Sequence, residues 1–284
     1  MDASKYQKVI EANIALHTKL SDHYSTCEPH FRPENLAHVE ARLLKVLSAT
    51  GQDRLLDLGC GTGFMIQLAK KHVRSIDGVD VTQAMLDKVD RSGPAEITLH
   101  NADSGSFPAT AGGYDVVTSY SFLHHLYDCG PTIGTAFRAL KPKGRYYVDL
   151  EPNYSFWEAI GKLDRDGAYD PILKREIEMV TYKDEDIRKQ FGVSEEIFNH
   201  AEYGKSFLGG FSEEYLRQKL VDAGFARVEF IFEWFVGQGQ MINDPTIPRE
   251  TAFANARVVD ALLQKSLPLA RNLFKYIGFV AEKD

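Results

Sequence analysis

Two adjacent histidines, His124 and His125, and four carboxylates, Asp57, Asp80, Asp103 and Glu151, are the side chains here whose type and setting could do chemistry. Imidazole changes charge near neutral pH and is a natural base for a group that must lose a proton. A carboxylate at a strand tip accepts hydrogen bonds from hydroxyl or amino groups. Asp80 is placed to take both hydroxyls of a ribose, at about 1.5–3 kcal/mol per charge-assisted bond, and would repel a 2′-phosphate. It reads equally as the start of a helix, alone or with Thr82. Asp103 can accept from an exocyclic amino group, with Ala102 and Ser104 offering backbone amides to a purine edge; a solvated turn is the plain alternative. Glu151 either meets a substrate or caps the turn before Pro152. For the histidines the alternative is one ring in packing and the other in solvent. No metal site is expected, because His23, His30 and His38 are spread evenly through a polar segment.

These side chains surround a glycine loop, Leu55-Leu56-Asp57-Leu58-Gly59-Cys60-Gly61-Thr62-Gly63. An apolar run enters it and a segment of helical spacing leaves it, which predicts a strand, a tight loop and a helix with loop amides exposed at the helix N-terminus. Glycine lets another molecule approach bare backbone. Phe64 stands one place after Gly63, where a dinucleotide fingerprint needs its third glycine, so the spacing disfavours nicotinamide and flavin dinucleotides. No Gly-Lys-Ser/Thr follows, which excludes a P-loop.

The elements that must position this set alternate. Strands are expected at 54–58, 75–80, 96–100, 114–119 and 145–150, and helices at 62–72, 82–91 and 131–140. Strand–helix alternation implies a parallel sheet covered on both faces, with ligands at the C-terminal strand ends. Helices at 5–23 and 34–48 form an N-terminal extension, 1–50, expected to act as a lid over a domain spanning 51–284. Residues 152–210 break the alternation and read as a cap insertion, rich in aromatics such as Tyr154, Trp157 and Tyr182, with helical pieces at 171–180, 184–190 and 195–200. Its charges, Lys174-Arg175-Glu176 among them, read as a solvated face. Regularity resumes with a capping box at Ser212, a helix over 212–223 ended by Gly224, and a strand over 226–235. A second insertion, 237–272, holds a helix near 249–265 and precedes a last strand at 276–281.

The 284 residues suffice for one large α/β domain with insertions. The net charge of −7 and the lack of a Lys/Arg run argue against nucleic acid as partner. Cys27, Cys60 and Cys129 are odd in number and without metal spacing, as expected of free thiols in the cytoplasm. No apolar run approaches the 18 residues of a membrane span, so no membrane partner is expected. The oligomeric state stays open, a homodimer included.

The glycine loop, Gly78-Val79-Asp80-Val81-Thr82 with Met85-Leu86, Asn101-Ala102-Asp103 and Tyr114-Asp115-Val116-Val117 together resemble the successive motifs of class I S-adenosylmethionine-dependent methyltransferases. The resemblance covers about 53–153 and resumes at 212–235 and 276–283. It implies a doubly wound, mostly parallel seven-stranded sheet whose last strand runs antiparallel, with S-adenosylmethionine (SAM) lying across the strand tips and S-adenosylhomocysteine (SAH) as product. Carried over, Asp57, Gly59, Gly61 and Gly63 meet the methionine moiety, and Asp80 the ribose, with Val81 and Met85 beside the adenine. Asp103, with Ala102 or Ser104, takes the adenine amino group, Ser119 or Tyr120 faces the methionine amine, and Tyr24 closes over the sulfonium. The motifs say little about the methyl acceptor. A small molecule under the cap fits the charge balance and aromatic content, with His124, His125 and Glu151 as candidate catalytic groups. The absence of an Asn/Asp-Pro-Pro-Tyr/Phe stretch after the fourth strand weakens a nucleic-acid acceptor. Methylation of a protein or tRNA nucleotide, and a non-catalytic SAM-binding module, are the alternatives.

Overall fold

A computed structural model describes residues 2–24, 31–180 and 184–284; Cys27, His30 and Tyr182 lie outside them. Seven strands form one sheet in the order β3-β2-β1-β4-β5-β7-β6. They are β1 (Arg54–Leu58), β2 (Ser75–Asp80), β3 (Glu96–Asn101), β4 (Tyr114–Tyr120), β5 (Leu140–Pro152), β6 (Arg227–Phe235) and β7 (Phe274–Glu282). The sheet is mixed. β1 to β5 pair in parallel, whereas β7 runs antiparallel to both β5 and β6. Strand order reverses between β1 and β4, and the polar residues that leave those two strands meet in one crevice.

The helices are α1 (Ala3–Leu20), α2 (Pro33–Ser48), α3 (Phe64–Ala69), α4 (Gln83–Leu86), α5 (Gly130–Ala139), α6 (Tyr154–Gly161), α7 (Pro171–Val180), α8 (Asp184–Phe191), α9 (Glu195–Ala201), α10 (Tyr203–Ser206), α11 (Glu213–Ala223), α12 (Gln238–Ile242) and α13 (Arg249–Lys265). α5 and α11 cover one face of the sheet through Ile133, Ala136, Leu216 and Leu220. α2 and α3 cover the other through Val39, Leu43, Leu47, Phe64 and Ile66. Each buried Val, Leu, Ile or Phe contributes about 1.5–3 kcal/mol.

The expected extension over 1–50 therefore divides. α2 belongs to the sandwich, where Arg42 pairs with Asp149 at 2.9 Å and with Glu233. Only α1 stands over the strand tips, and its outer face joins the cap in a small core of Ala12, Leu16, Ile187, Val193, Phe198 and Ala201. The helices after β1 and β2 are shorter than expected. α4 stops at Leu86, and beyond it Asp90 takes the Ser92 amide at 2.8 Å and the Lys70 ammonium at 2.7 Å. Ser212 caps α11 by accepting from the Tyr215 amide, but the third helical position holds Tyr215 rather than a glutamate, so the cap lacks the reciprocal half of a capping box. Gly224 ends α11 at φ 108°. Glu176 is not on a solvated face: it is 3% exposed and pairs with Lys275 at 2.6 Å.

Candidate functional site

The glycine loop folds by satisfying itself. The Gly59 and Cys60 amides both donate to the Val79 carbonyl (2.8 and 3.0 Å), Gly63 donates to Cys60 (2.8 Å), and the Gly61 amide donates to Asp80 Oδ2 (2.9 Å). Gly59, Gly61 and Gly63 all have positive φ (76°, 51° and 90°), a conformation that glycine adopts without strain. The expected platform of free amides at a helix N-terminus is thus corrected: these four amides are already engaged, and α3 spans only six residues. Close approach is still built in. A Cβ on Gly59 would sit 2.1 Å from the Phe122 ring, whereas one on Gly61 would meet nothing nearer than Met85 Cε at 3.7 Å.

A cleft opens over this loop. Of the residues singled out from the sequence, Tyr24, Gly59, Gly61, Asp80, Val81, Met85, Ala102, Asp103, Ser104, Tyr120 and His125 line it. Asp57, Gly63, Ser119, His124 and Glu151 do not. Gly63 faces a neighbouring recess with Gln67 and Lys88. The Ser119 hydroxyl donates to the Leu58 carbonyl at 2.9 Å and lies 3.0 Å from the Tyr146 hydroxyl, so it points into the sheet, and Ser121 takes its place in the wall.

The acids at the strand tips are held by backbone. Asp80 Oδ1 accepts from the Thr82 amide at 2.8 Å, and burial raises its pKa. Asp103 accepts from the amides of Gly105 and Ser106, the Ser106 hydroxyl and, at 2.7 Å, the Tyr6 hydroxyl. Asp57 lies under the loop. Its Oδ1 takes the Thr118 hydroxyl at 2.7 Å, its Oδ2 has no partner, and burial, with Asp80 nearby, lifts its pKa to about 7. The buried Thr62 hydroxyl, in the cleft wall, also lacks a partner. An orphaned hydroxyl in the wall beside an open glycine suits a ligand with a polar end.

Glu151 is a correction. It is wholly buried and accepts from the amides of Phe122 (2.8 Å), Leu123 (2.7 Å) and His124 (3.0 Å), and from His124 Nδ1 (2.8 Å). With these contacts on Phe122 and the 3₁₀ turn Leu123–His125, it positions that turn and does not line the cleft. The two histidines consequently separate. Burial depresses the pKa of His124, but Glu151 outweighs it and leaves the pKa raised; His124 is absent from the cleft wall. His125 lines the cleft, and burial and then the charge of His124 hold its pKa well below the usual histidine value. Its Nδ1 donates to the Ala201 carbonyl at 2.7 Å, which leaves Nε2 as the accepting nitrogen.

The sequence did not reveal what α1 contributes. Tyr6, Val9, Ile10, Asn13 and His17 line the cleft from one face of that helix. Asn13 Nδ2 donates to the His125 carbonyl at 2.8 Å, and the His17 ring meets His125 edge-on at 4.7 Å between centroids. The signal was the polar series 6, 13 and 17, which recurs at helical spacing among the apolar positions 9, 10 and 16. Glu202, also missed, lies 3.6 Å from His125 Nδ1 and 3.5 Å from the Lys205 ammonium. Burial works to raise its pKa, but Lys205 and the neighbouring histidines bring it to about 2. His124, His125 and Glu202 could together reach one metal ion, but the buried carboxylate already has Lys205 as its counter-charge.

Residues 56–148 match the model of a methyltransferase domain family. Over 110 residues the chain is 32% identical to the 27-O-demethylrifamycin SV methyltransferase of Amycolatopsis mediterranei, covering 37% of this chain and 40% of that one. Over 170 residues it is 27% identical to a ubiquinone biosynthesis O-methyltransferase of Saccharophagus degradans, covering 54% and 68%. The chain thus spans less than half the length of the first of these relatives. Among solved structures, an S-adenosylmethionine-dependent methyltransferase from Mesorhizobium loti shares the fold, with a TM-score of 0.51 and 19% identity over 87% of this chain and all of that one. Among the described residues no helix is long and apolar enough to cross a membrane.

Proposed function

We propose that this chain, a member of the class I S-adenosylmethionine-dependent methyltransferase superfamily, transfers a methyl group to a small molecule enclosed between α1, the glycine loop and the turn after β4; among the described residues none of the expected cap, 152–210, lines this cleft. The observation that carries this reading is the cleft itself. Two carboxylates, Asp80 and Asp103, stand at adjacent strand tips beside the glycine loop, and an apolar and aromatic roof closes the far side. When bound, SAM supplies an electrophilic methyl group on a sulfonium, open to in-line displacement. The residues present suit it: Asp80 for the ribose hydroxyls, Asp103 with Ser104 for the adenine edge, Met85 and Val81 along the ring, and Thr62 for the polar methionine end.

What the chain must then do is hold the acceptor in line and exclude water, which can account for about 7–11 kcal/mol of a barrier. His125 Nε2 is the group suited to hold or receive the acceptor's proton, with Nδ1 fixed by Ala201 and the Glu202 carboxylate close behind. Similarity to a ubiquinone biosynthesis O-methyltransferase and to a 27-O-demethylrifamycin SV methyltransferase supports oxygen as the receiving atom. Acidic balance supports a small-molecule acceptor over nucleic acid, and the buried thiols Cys60 and Cys129 support a cytoplasmic setting. Calorimetric titration with SAM and SAH tests the reading. Both should bind, Asp80→Ala should weaken both at least tenfold, and absence of binding would refute the proposal.

A further inference from the structure

The half of the cleft beyond the strand-tip acids has its own chemistry. Val9, Ile10, Tyr24, Phe122, Leu126 and Tyr127 give it an apolar, aromatic wall. Among the described residues, no lysine or arginine lines the cleft. A carboxylate or phosphate buried there would lack a counter-charge, a cost of several kcal/mol. Two imidazoles in this half have their Nδ1 atoms committed. His125 donates through Nδ1 to the Ala201 carbonyl, and His17 through Nδ1 to the Asn13 carbonyl at 3.0 Å. A carbonyl only accepts, so each Nδ1 carries its hydrogen, and Nε2 is the ring nitrogen left to meet a ligand. The two rings touch edge-on at 4.7 Å. Asn13 joins them, since its carbonyl orients His17 while its amide fixes the His125 backbone.

We infer that the acceptor is an uncharged aromatic compound with hydroxyls on neighbouring carbons, one read by His125 and the other by His17. The inference rests on the proposed methyl transfer and names its substrate class. Two imidazole Nε2 atoms on touching rings match two adjacent hydroxyls, which can donate or accept, and the flat frame that carries them packs among Tyr24, Phe122 and Tyr127. His17 is then a specificity-determining residue. A compound with one hydroxyl leaves its Nε2 unpartnered in a largely dry wall, and a site built for a hydroxyl discriminates against the analogue without it.

The test uses 4-methylcatechol, 4-methylphenol and 3,4-dihydroxybenzoate as probes, with binding followed by calorimetry on the full chain, both with and without saturating SAH. Turnover with SAM is followed by SAH release. The catechol should bind and be methylated, with kcat/KM about tenfold or more above the single phenol, in keeping with one lost hydrogen bond in a dry site. The benzoate should bind more weakly than the catechol. His17→Phe should erase the preference for catechol over phenol while SAH affinity is retained; His17→Gln serves if packing fails. No catechol binding, a preference for the benzoate or for an amine such as 3,4-dihydroxybenzylamine, or an unchanged catechol-to-phenol ratio in His17→Phe would overturn the inference. Failure of SAH to bind would refute the cofactor reading, and the measurements without SAH would still decide this one.

Discussion

The Tyr6 hydroxyl donates to Asp103 Oδ2 across 2.7 Å and so ties the first turn of α1 to the tip of β3. Burial and the neighbouring carboxylate raise the phenol pKa, so the bond keeps its proton throughout the usable pH range. At the far end of α1, the exposed pair Asp22–Lys88 makes a second tie at 2.6 Å. Tyr6→Phe removes the stronger one. A charge-assisted bond of about 1.5–3 kcal/mol, partly replaced by water, leads to SAH dissociation roughly tenfold faster in stopped-flow fluorescence. Unchanged release would mean that α1 does not hold the ligand in.

The two histidines should respond differently to replacement. His125→Gln keeps a hydrogen-bonding side chain but no base, so kcat should fall by about 10²–10⁴ while SAH affinity is retained. His124→Gln removes the ring that faces buried Glu151, so thermal stability should fall first. Melting curves and steady-state rates on the two variants separate these outcomes, and the reverse pattern would move the base to His124.

Gly59→Ala sets a Cβ against the Phe122 ring and forces a left-handed backbone on alanine. The strain of about 1–3 kcal/mol comes from the backbone and the rest from the ring. Phe122→Ala in the same chain should relieve only the second part. Partial recovery of the urea midpoint in the double variant is expected, and none at all would show that backbone strain dominates.

Arg42 stands between two buried carboxylates, Asp149 and Glu233, and His38 adds a 2.7 Å contact to Glu233. Arg42→Leu leaves both acids without their main counter-charge and should cost about 3–5 kcal/mol in urea unfolding. A loss below 1 kcal/mol would mean that water or protonation replaces the arginine easily.

Asp57 gives a pH signature. Its folded pKa of about 7 exceeds the ordinary 3.8, so between those values the folded chain binds the extra proton. Its contribution is therefore fully present below about pH 4 and is lost as pH rises through 7. Asp57→Asn does not titrate. Without SAM, the stability of the variant relative to the parent should grow by roughly 2–4 kcal/mol between pH 4 and pH 7.5. A pH-independent difference would place the Asp57 pKa near its ordinary value.

The strands and the strand-tip acids were legible because they depend on short-range pattern. The apolar run Leu55–Leu58 and the buried Tyr114–Tyr120 could hardly be anything but central strands. Asp80 and Asp103 follow such runs directly, and their positions hold. The fate of Glu151 was not legible, because it depends on which way a chain turns after a strand twenty-eight residues earlier, at Leu123. The choice between His124 and His125 was hidden for the same reason: adjacent residues in a tight turn point in different directions, and only the partners Glu151 and Ala201 decide which faces the cleft. The contributions of Tyr6 and His17 needed knowledge that α1 crosses the strand tips while α2 enters the core. Both helices are amphipathic, and local sequence does not say what an apolar stripe will meet.

The face of α1 that sets Tyr6 on Asp103 also sets His17 beside His125, so a single helix roofs the cofactor half and the acceptor half of the cleft. A shared roof predicts a compulsory order of events. The nucleoside must enter before the helix settles, the acceptor reacts only once it has, and the spent nucleoside leaves last. SAH should then inhibit competitively against SAM and noncompetitively against the acceptor, and turnover should be paced by the opening of α1 rather than by the methyl transfer beneath it.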